Sequence, residues 1–171
     1  KESKFGVPME DAAELYRKAN ALPGIEVIGI DYHIGSQITD PPPFLHALDK
    51  LLILVDRLRG EGIVLHHLDL GGGLGIRYRD ESPPEPADYI AALLQRLAGH
   101  PHTILLEPGR ALVGNAGLLL TRVEYLKHGD ARNFCVVDAA MNDLIRPALY
   151  DGYHDIVRVE QPECAEHRYE V

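Results

Sequence analysis

Three clusters of residues able to do chemistry stand out along the chain. They are His33-Ile34-Gly35-Ser36-Gln37, Gly71-Gly72-Gly73 within LDLGGGLGI, and Glu107-Pro108-Gly109-Arg110. Consecutive glycines let backbone N–H groups approach an anion without side-chain obstruction, and phosphate is the usual guest of such a turn. Singly, each cluster has a plain structural reading. Three glycines also make a tight turn, and a histidine closing a strand is more often a satisfied structural group. His66-His67 resembles a metal pair, but adjacent strand residues face opposite ways, so no metal site is assigned.

The elements around these clusters explain why they belong together. The sequence predicts a short strand over 4–7 and a helix opening near Pro8, marked by Ala12, Ala13, Leu15, Tyr16 and Ala19. A buried strand is expected over 25–32, rich in β-branched residues. Pro41, Pro42 and Pro43 are read as a break. An amphipathic helix follows, with Phe44, Leu48, Leu51, Leu52, Val55 and Leu58 on one face. A strand over 63–70 runs into the glycines, a loop spans 77–86, and Tyr89, Ile90, Leu93, Leu94 and Leu97 mark a further helix. A strand over 103–106 ends at Glu107. Each cluster thus follows a strand, where ligands sit in parallel α/β folds. The alternation implies parallel strands with helical crossovers, without separating a TIM-type barrel from an open doubly wound sheet. From about Gly117 the rhythm changes. Strands are expected over 118–126, 134–138 and 156–159, with a turn at His128-Gly129-Asp130. The expected organisation is an α/β unit over 1–116 and the start of a mainly β domain over 117–171.

The 171 residues carry a formal net charge of −9 and are 46% apolar. That acidity argues against nucleic acid or anionic membranes as partners, and no apolar run is long enough to span a bilayer. No basic-then-apolar leader is present, and the cysteines, Cys135 and Cys164, form no C-x-x-C pair. Cys135 reads as a small core residue in an apolar run and Cys164 as exposable, which fits a reduced, cytoplasmic protein. The chain begins at Lys1, as expected of a piece from the middle of a longer protein.

HIGSQ, LDLGGGLGI and EPGR, in that order and about one α/β unit apart, resemble the fold-type III pyridoxal-phosphate-dependent decarboxylases. The segment DAAMNDLIRPALYDGYH from Asp138, with the opening ESKFGV, is similar to the diaminopimelate decarboxylase branch. The resemblance implies part of a TIM-type (β/α)8 barrel, with cofactor at its mouth, followed by a β domain. It makes His33 and Glu107 catalytic, His33 stacking on the pyridine ring and Glu107 facing its nitrogen. Ser36, Gly71, Gly72, Gly73, Gly109 and Arg110 would hold the phosphate of pyridoxal 5'-phosphate. Arg110, Arg146 and Tyr150 would bind the distal carboxylate of the substrate. The implied reaction is decarboxylation of meso-diaminopimelate to L-lysine, by a homodimer.

The resemblance also implies a Schiff-base lysine on an earlier barrel strand and a CESGD motif beyond Val171. Lys1, Lys4, Lys18, Lys50 and Lys127 match no such position, and Cys164 is not in that context. The expectation is therefore that this chain alone is an inactive fragment. Three alternatives remain at this point. One is a related decarboxylase of the ornithine or arginine type. Another is an S-adenosylmethionine-dependent methyltransferase, from the glycine loop. The last is a non-catalytic binding module.

Overall fold

The computed structural model describes residues 5–160 and 167–171. Lys1, Lys4 and Cys164 lie outside the described residues. The chain divides into two compact units, one of residues 1–76 with 82–115, the other of 77–81 with 116–171. No helix among the described residues is long and apolar enough to cross a membrane.

In the first unit, α1 (Met9–Asn20) begins immediately after Pro8 and buries Ala12 and Ala13. The strand expected over 4–7 is not formed by residues 5–7. Only Gly29–Asp31 of the expected 25–32 strand is formed, as β1, and Ile25 and Ile28 are exposed. Backbone bonds to the neighbouring strand extend from Ile28 to Tyr32, so the strand-like composition overran its pairing at 25–27. The three prolines open a helix rather than break one. Pro41 caps α2 (Pro42–Gly60), and Pro42 and Pro43 occupy its first turn, where proline's missing N–H is no loss.

α2 supplies much of the core. Phe44, Leu48, Leu51, Val55 and Leu58 are at most 1% exposed, each burial worth about 1.5–3 kcal/mol. β2 (His67–Asp69) and β3 (Thr103–Leu105) flank α3 (Pro86–Arg96), which buries Tyr89 and Leu93 and leaves Leu94 exposed, against expectation. The strands are parallel in the order β1-β2-β3. Chain order and spatial order agree, with a helical crossover between neighbours, as in a TIM-type barrel. The fold is α/β, part of such a barrel.

The register fixes which side chains share a face. Ile30, Leu68 and Ile104 are aligned and pack in the cluster with α2 and α3. The alternate set, Gly29 and Asp31, His67 and Asp69, Thr103 and Leu105, faces the other way. A wide-open depression of about 510 Å³ lies along these strands, lined by Gly29, Asp31, His67, Asp69 and Leu105 with Ile28 and Ile30. His67 lies on this face and His66 is exposed before β2. A short helix that the sequence reading missed, α4 (Gly109–Val113), follows β3.

The second unit contains an antiparallel pair, β4 (Val123–Lys127) and β5 (Phe134–Val137), irregular between Val123 and Tyr125. Residues 118–122 are not strand, and neither are 156–159, whose Ile156, Val157 and Val159 are exposed. Cys135 is free and half-buried on β5, not in a closed core. α5 (Arg146–Tyr150) is a single turn that apolar periodicity could not reveal.

Candidate active site

The loops leaving β1, β2 and β3 meet backbone to backbone. Tyr32 N–H donates to the Asp69 carbonyl at 3.3 Å, Leu70 N–H to Leu105 at 3.0 Å, and Glu107 N–H to Gly71 at 2.8 Å. The glycines allow this approach. A Cβ at Gly71 would overlap the Tyr32 carbonyl, with the His33 Cα 3.4 Å away; one at Gly72 would overlap the Glu107 carbonyl; one at Gly73 would overlap the Gly35 carbonyl. Gly71 and Gly73 also have φ of +63° and +101°, which L side chains adopt at a cost. The triple glycine is therefore the junction of all three strand-end loops, not merely a turn.

Two amides expected to serve an anion are already used here. Gly71 N–H donates to Asp69 Oδ1 at 2.9 Å, and Gly109 N–H donates to the Glu107 carbonyl at 2.8 Å. Gly71 in this conformation shapes the backbone, through its contact with the Tyr32 carbonyl and its positive φ. Arg110 Nη2 donates to Ser36 Oγ at 2.9 Å, joining the first loop to the third. That leaves the hydroxyl proton of Ser36 free to be given to an anion beside a guanidinium.

On the open face, carboxylate oxygens of Asp31, Asp69 and Glu107 all lie within 4.8 Å of one another. Desolvation, then the charge of Asp69, push the Asp31 carboxyl above the usual range, with His33 pulling the other way. Such a group of carboxylates stabilises a positive charge placed among them and could hold a cation. Sequence reasoning singled out Glu107 and missed its two companions. The available signal was an acid at the end of three successive strands.

In the second unit, the Arg146 guanidinium lies over the rings of Tyr78 and Tyr150, at 5.5 and 5.7 Å from their centroids. Its Nε is buried without a hydrogen-bond partner among the described residues. Asp138, which begins the DAAMND segment, accepts from Arg122 N–H at 2.8 Å and Thr121 Oγ1 at 2.7 Å. These bonds, the backbone one first, hold its carboxyl below the usual range. Lys18 and Lys50 lie on α1 and α2 and Lys127 on β4, so none of the three stands on a strand-end loop.

A sequence profile described as "pyridoxal-dependent decarboxylase, pyridoxal binding domain" matches residues 1–114. The chain belongs to the pyridoxal-dependent decarboxylase family. Within that family it is 57% identical over 171 residues to diaminopimelate decarboxylase of Pseudomonas aeruginosa, covering all of this chain and 41% of the relative. It is 52% identical over 162 residues to the Haemophilus influenzae enzyme of the same name, covering 94% of this chain and 39% of that one. The crystal structure of diaminopimelate decarboxylase from Helicobacter pylori complexed with L-lysine superposes with a TM-score of 0.90 at 38% identity, over 95% of this chain and 41% of that one. The chain thus spans about two-fifths of the length of the curated relatives it matches. Membership of a pyridoxal-dependent decarboxylase family disposes of the methyltransferase alternative. The structure agrees: no strand follows the glycines within 77–85 to supply that fold's acidic residue.

Proposed function

We propose that the whole protein to which this chain belongs decarboxylates meso-diaminopimelate to L-lysine with pyridoxal 5'-phosphate. The observation that carries this reading is the three-loop junction, where Gly72 and Glu107 touch backbone to backbone and Gly71 meets His33. The residues present fit the cofactor. With the glycines packed against the Tyr32, Glu107 and Gly35 carbonyls on one side, the N–H groups of Gly72 and Gly73 and the Ser36 hydroxyl would be the donors to its phosphate. When bound, pyridoxal phosphate supplies an electron sink for the charge left by departing carbon dioxide.

The chain's own residues serve that chemistry through charge and orientation. Glu107 holds a proton on the pyridine nitrogen, because a carboxylate partner favours the cationic ring. Asp31 and Asp69, within 4.8 Å of its carboxylate, reinforce the same negative potential. His33, whose backbone meets Gly71 at the junction, would support the cofactor ring and limit its movement. Arg110 orients Ser36 through the 2.9 Å bond. Arg146, stacked with Tyr150, binds the second carboxylate of the substrate. A substrate ending in an amine, such as ornithine, has no use for that arginine.

The test is release of carbon dioxide by the full-length protein from meso-diaminopimelate, ornithine and arginine. The expected result is lysine from the first and little turnover of the others; preference for ornithine or arginine would move the assignment to that related type. No lysine among the described residues stands at the junction, so the isolated 171-residue chain is expected to show no turnover with added cofactor. The working enzyme is taken as a cytoplasmic homodimer, on the family resemblance; sedimentation equilibrium checks the oligomeric state.

A further inference from the structure

We propose that Gln37 is a positioning residue that fastens the 33–38 loop to the 71–76 loop, holding the cofactor cradle in its binding shape before a guest arrives. The proposal rests on the reading of the site above and adds to it a residue with no role there.

The side-chain amide of Gln37 makes a two-point bond with one residue of the neighbouring loop. Its Nε2 donates to the Ile76 carbonyl at 2.6 Å, and Ile76 N–H donates to its Oε1 at 3.2 Å. A primary amide presents a donor and an acceptor as a peptide group does, so the pair acts as one more rung of backbone pairing. It extends a pairing that is already there. Ile38 N–H donates to the Gly73 carbonyl and Gly75 N–H to the Ile38 carbonyl, both at 2.9 Å, around a parallel bridge between Ile38 and Leu74. The loops press closely, since a Cβ at Gly75 would sit 3.1 Å from the Ile38 carbonyl oxygen.

The backbone of Gln37 has a φ of +57°, a left-handed conformation that glycine or asparagine adopts more readily than glutamine. Local preference therefore does not explain a glutamine at this position. The two bonds its side-chain amide makes to Ile76 do. Ser36 is thereby fixed from both sides, by Arg110 through its hydroxyl and by Gln37 through the chain. Gly73, whose Cβ would overlap the Gly35 carbonyl, is held against the same loop.

The test uses the full-length protein and two variants. Gln37→Met keeps side-chain length and removes both bonds; Gln37→Gly removes them while relieving the backbone. Binding of pyridoxal phosphate is followed by visible absorbance, kcat is measured at saturating cofactor, and amide exchange is followed at Ile38, Gly75 and Ile76 without cofactor. Loss of two hydrogen bonds predicts a cofactor dissociation constant raised roughly tenfold to a hundredfold in both variants. The loss in kcat should be smaller than the loss in affinity, and exchange at those amides faster. An unchanged dissociation constant in both variants, or kcat falling as far as affinity, overturns the proposal. A parent protein that takes up no pyridoxal phosphate defeats the reading of the site instead. Exchange then decides the clamp alone: faster exchange in the variants supports it and unchanged exchange overturns it.

Discussion

Gly72 is packed against Glu107: a methyl group on Gly72 would overlap the Glu107 carbonyl oxygen. The turn proposed to cradle a phosphate and the glutamate proposed to face a ring nitrogen are thus set by a single backbone contact.

Gly72→Ala should consequently damage both ends of the cofactor site. Forcing a methyl into a closed contact costs typically about 1–3 kcal/mol, and the strain must move Glu107. The expected outcome is a lower melting temperature and weaker uptake of pyridoxal phosphate, read by thermal denaturation and absorbance titration. A substitution tolerated without change in either would contradict the described contact.

Glu107→Gln keeps the size of the side chain and removes its charge. Removing one preorganised electrostatic group typically lowers kcat by on the order of 100- to 1,000-fold, and a loss of that order is expected here. Stability should change little, because Glu107 is exposed. Steady-state kinetics of the full-length protein, with cofactor content measured in parallel, checks this.

Arg146→Lys preserves charge and loses the planar fork. The Michaelis constant for meso-diaminopimelate is expected to rise roughly tenfold or more, since hydrogen bonds to a charged group are worth about 1.5–3 kcal/mol. Tyr150→Phe should have a smaller effect in the same direction. If both variants keep the parent's Michaelis constant, the carboxylate-binding role falls.

Asp31 carries a pH signature with a definite sign. Its carboxyl in the folded chain is shifted upward, first by desolvation and then by Asp69. A group with a raised folded pKa contributes stability that is fully present below its unfolded pKa and lost as pH rises through the folded value. Asp31→Asn is therefore expected to stabilise the protein at neutral pH, with the advantage disappearing in acid below the ordinary aspartate range. Melting temperatures of the two proteins across pH 3 to 8, a span of roughly that size around the usual carboxyl pKa, give the comparison.

The apolar periodicity of Phe44, Leu48, Leu51, Val55 and Leu58 revealed α2, because burial on one face of a long helix leaves a 3.6-residue trace. The strand ends were legible because glycines and acids follow short apolar runs. Strand lengths were not. Ile25 has strand-like chemistry but lies outside the paired stretch of β1, and pairing depends on a partner distant in sequence. The prolines at 41–43 were misread because their meaning depends on position within a helix. α4 and α5, at five residues each, are too short to show a period. Of the site, Glu107 and the glycines could be seen from motif and chemistry. The carboxylates of Asp31 and Asp69 and the bridge from Gln37 to Ile76 required three dimensions, since each joins residues about one α/β unit apart.

The residues proposed to grip the cofactor lie in one compact unit, while Arg146 and Tyr150 lie in the other. Of the residues expected to choose the amino acid, Arg110 alone belongs to the unit that retains the coenzyme, and the rest of that choice falls to the other stretch of polypeptide. Sequence drift around 138–153 can redirect such an enzyme toward a new metabolite while its inherited grip on the vitamin derivative stays intact.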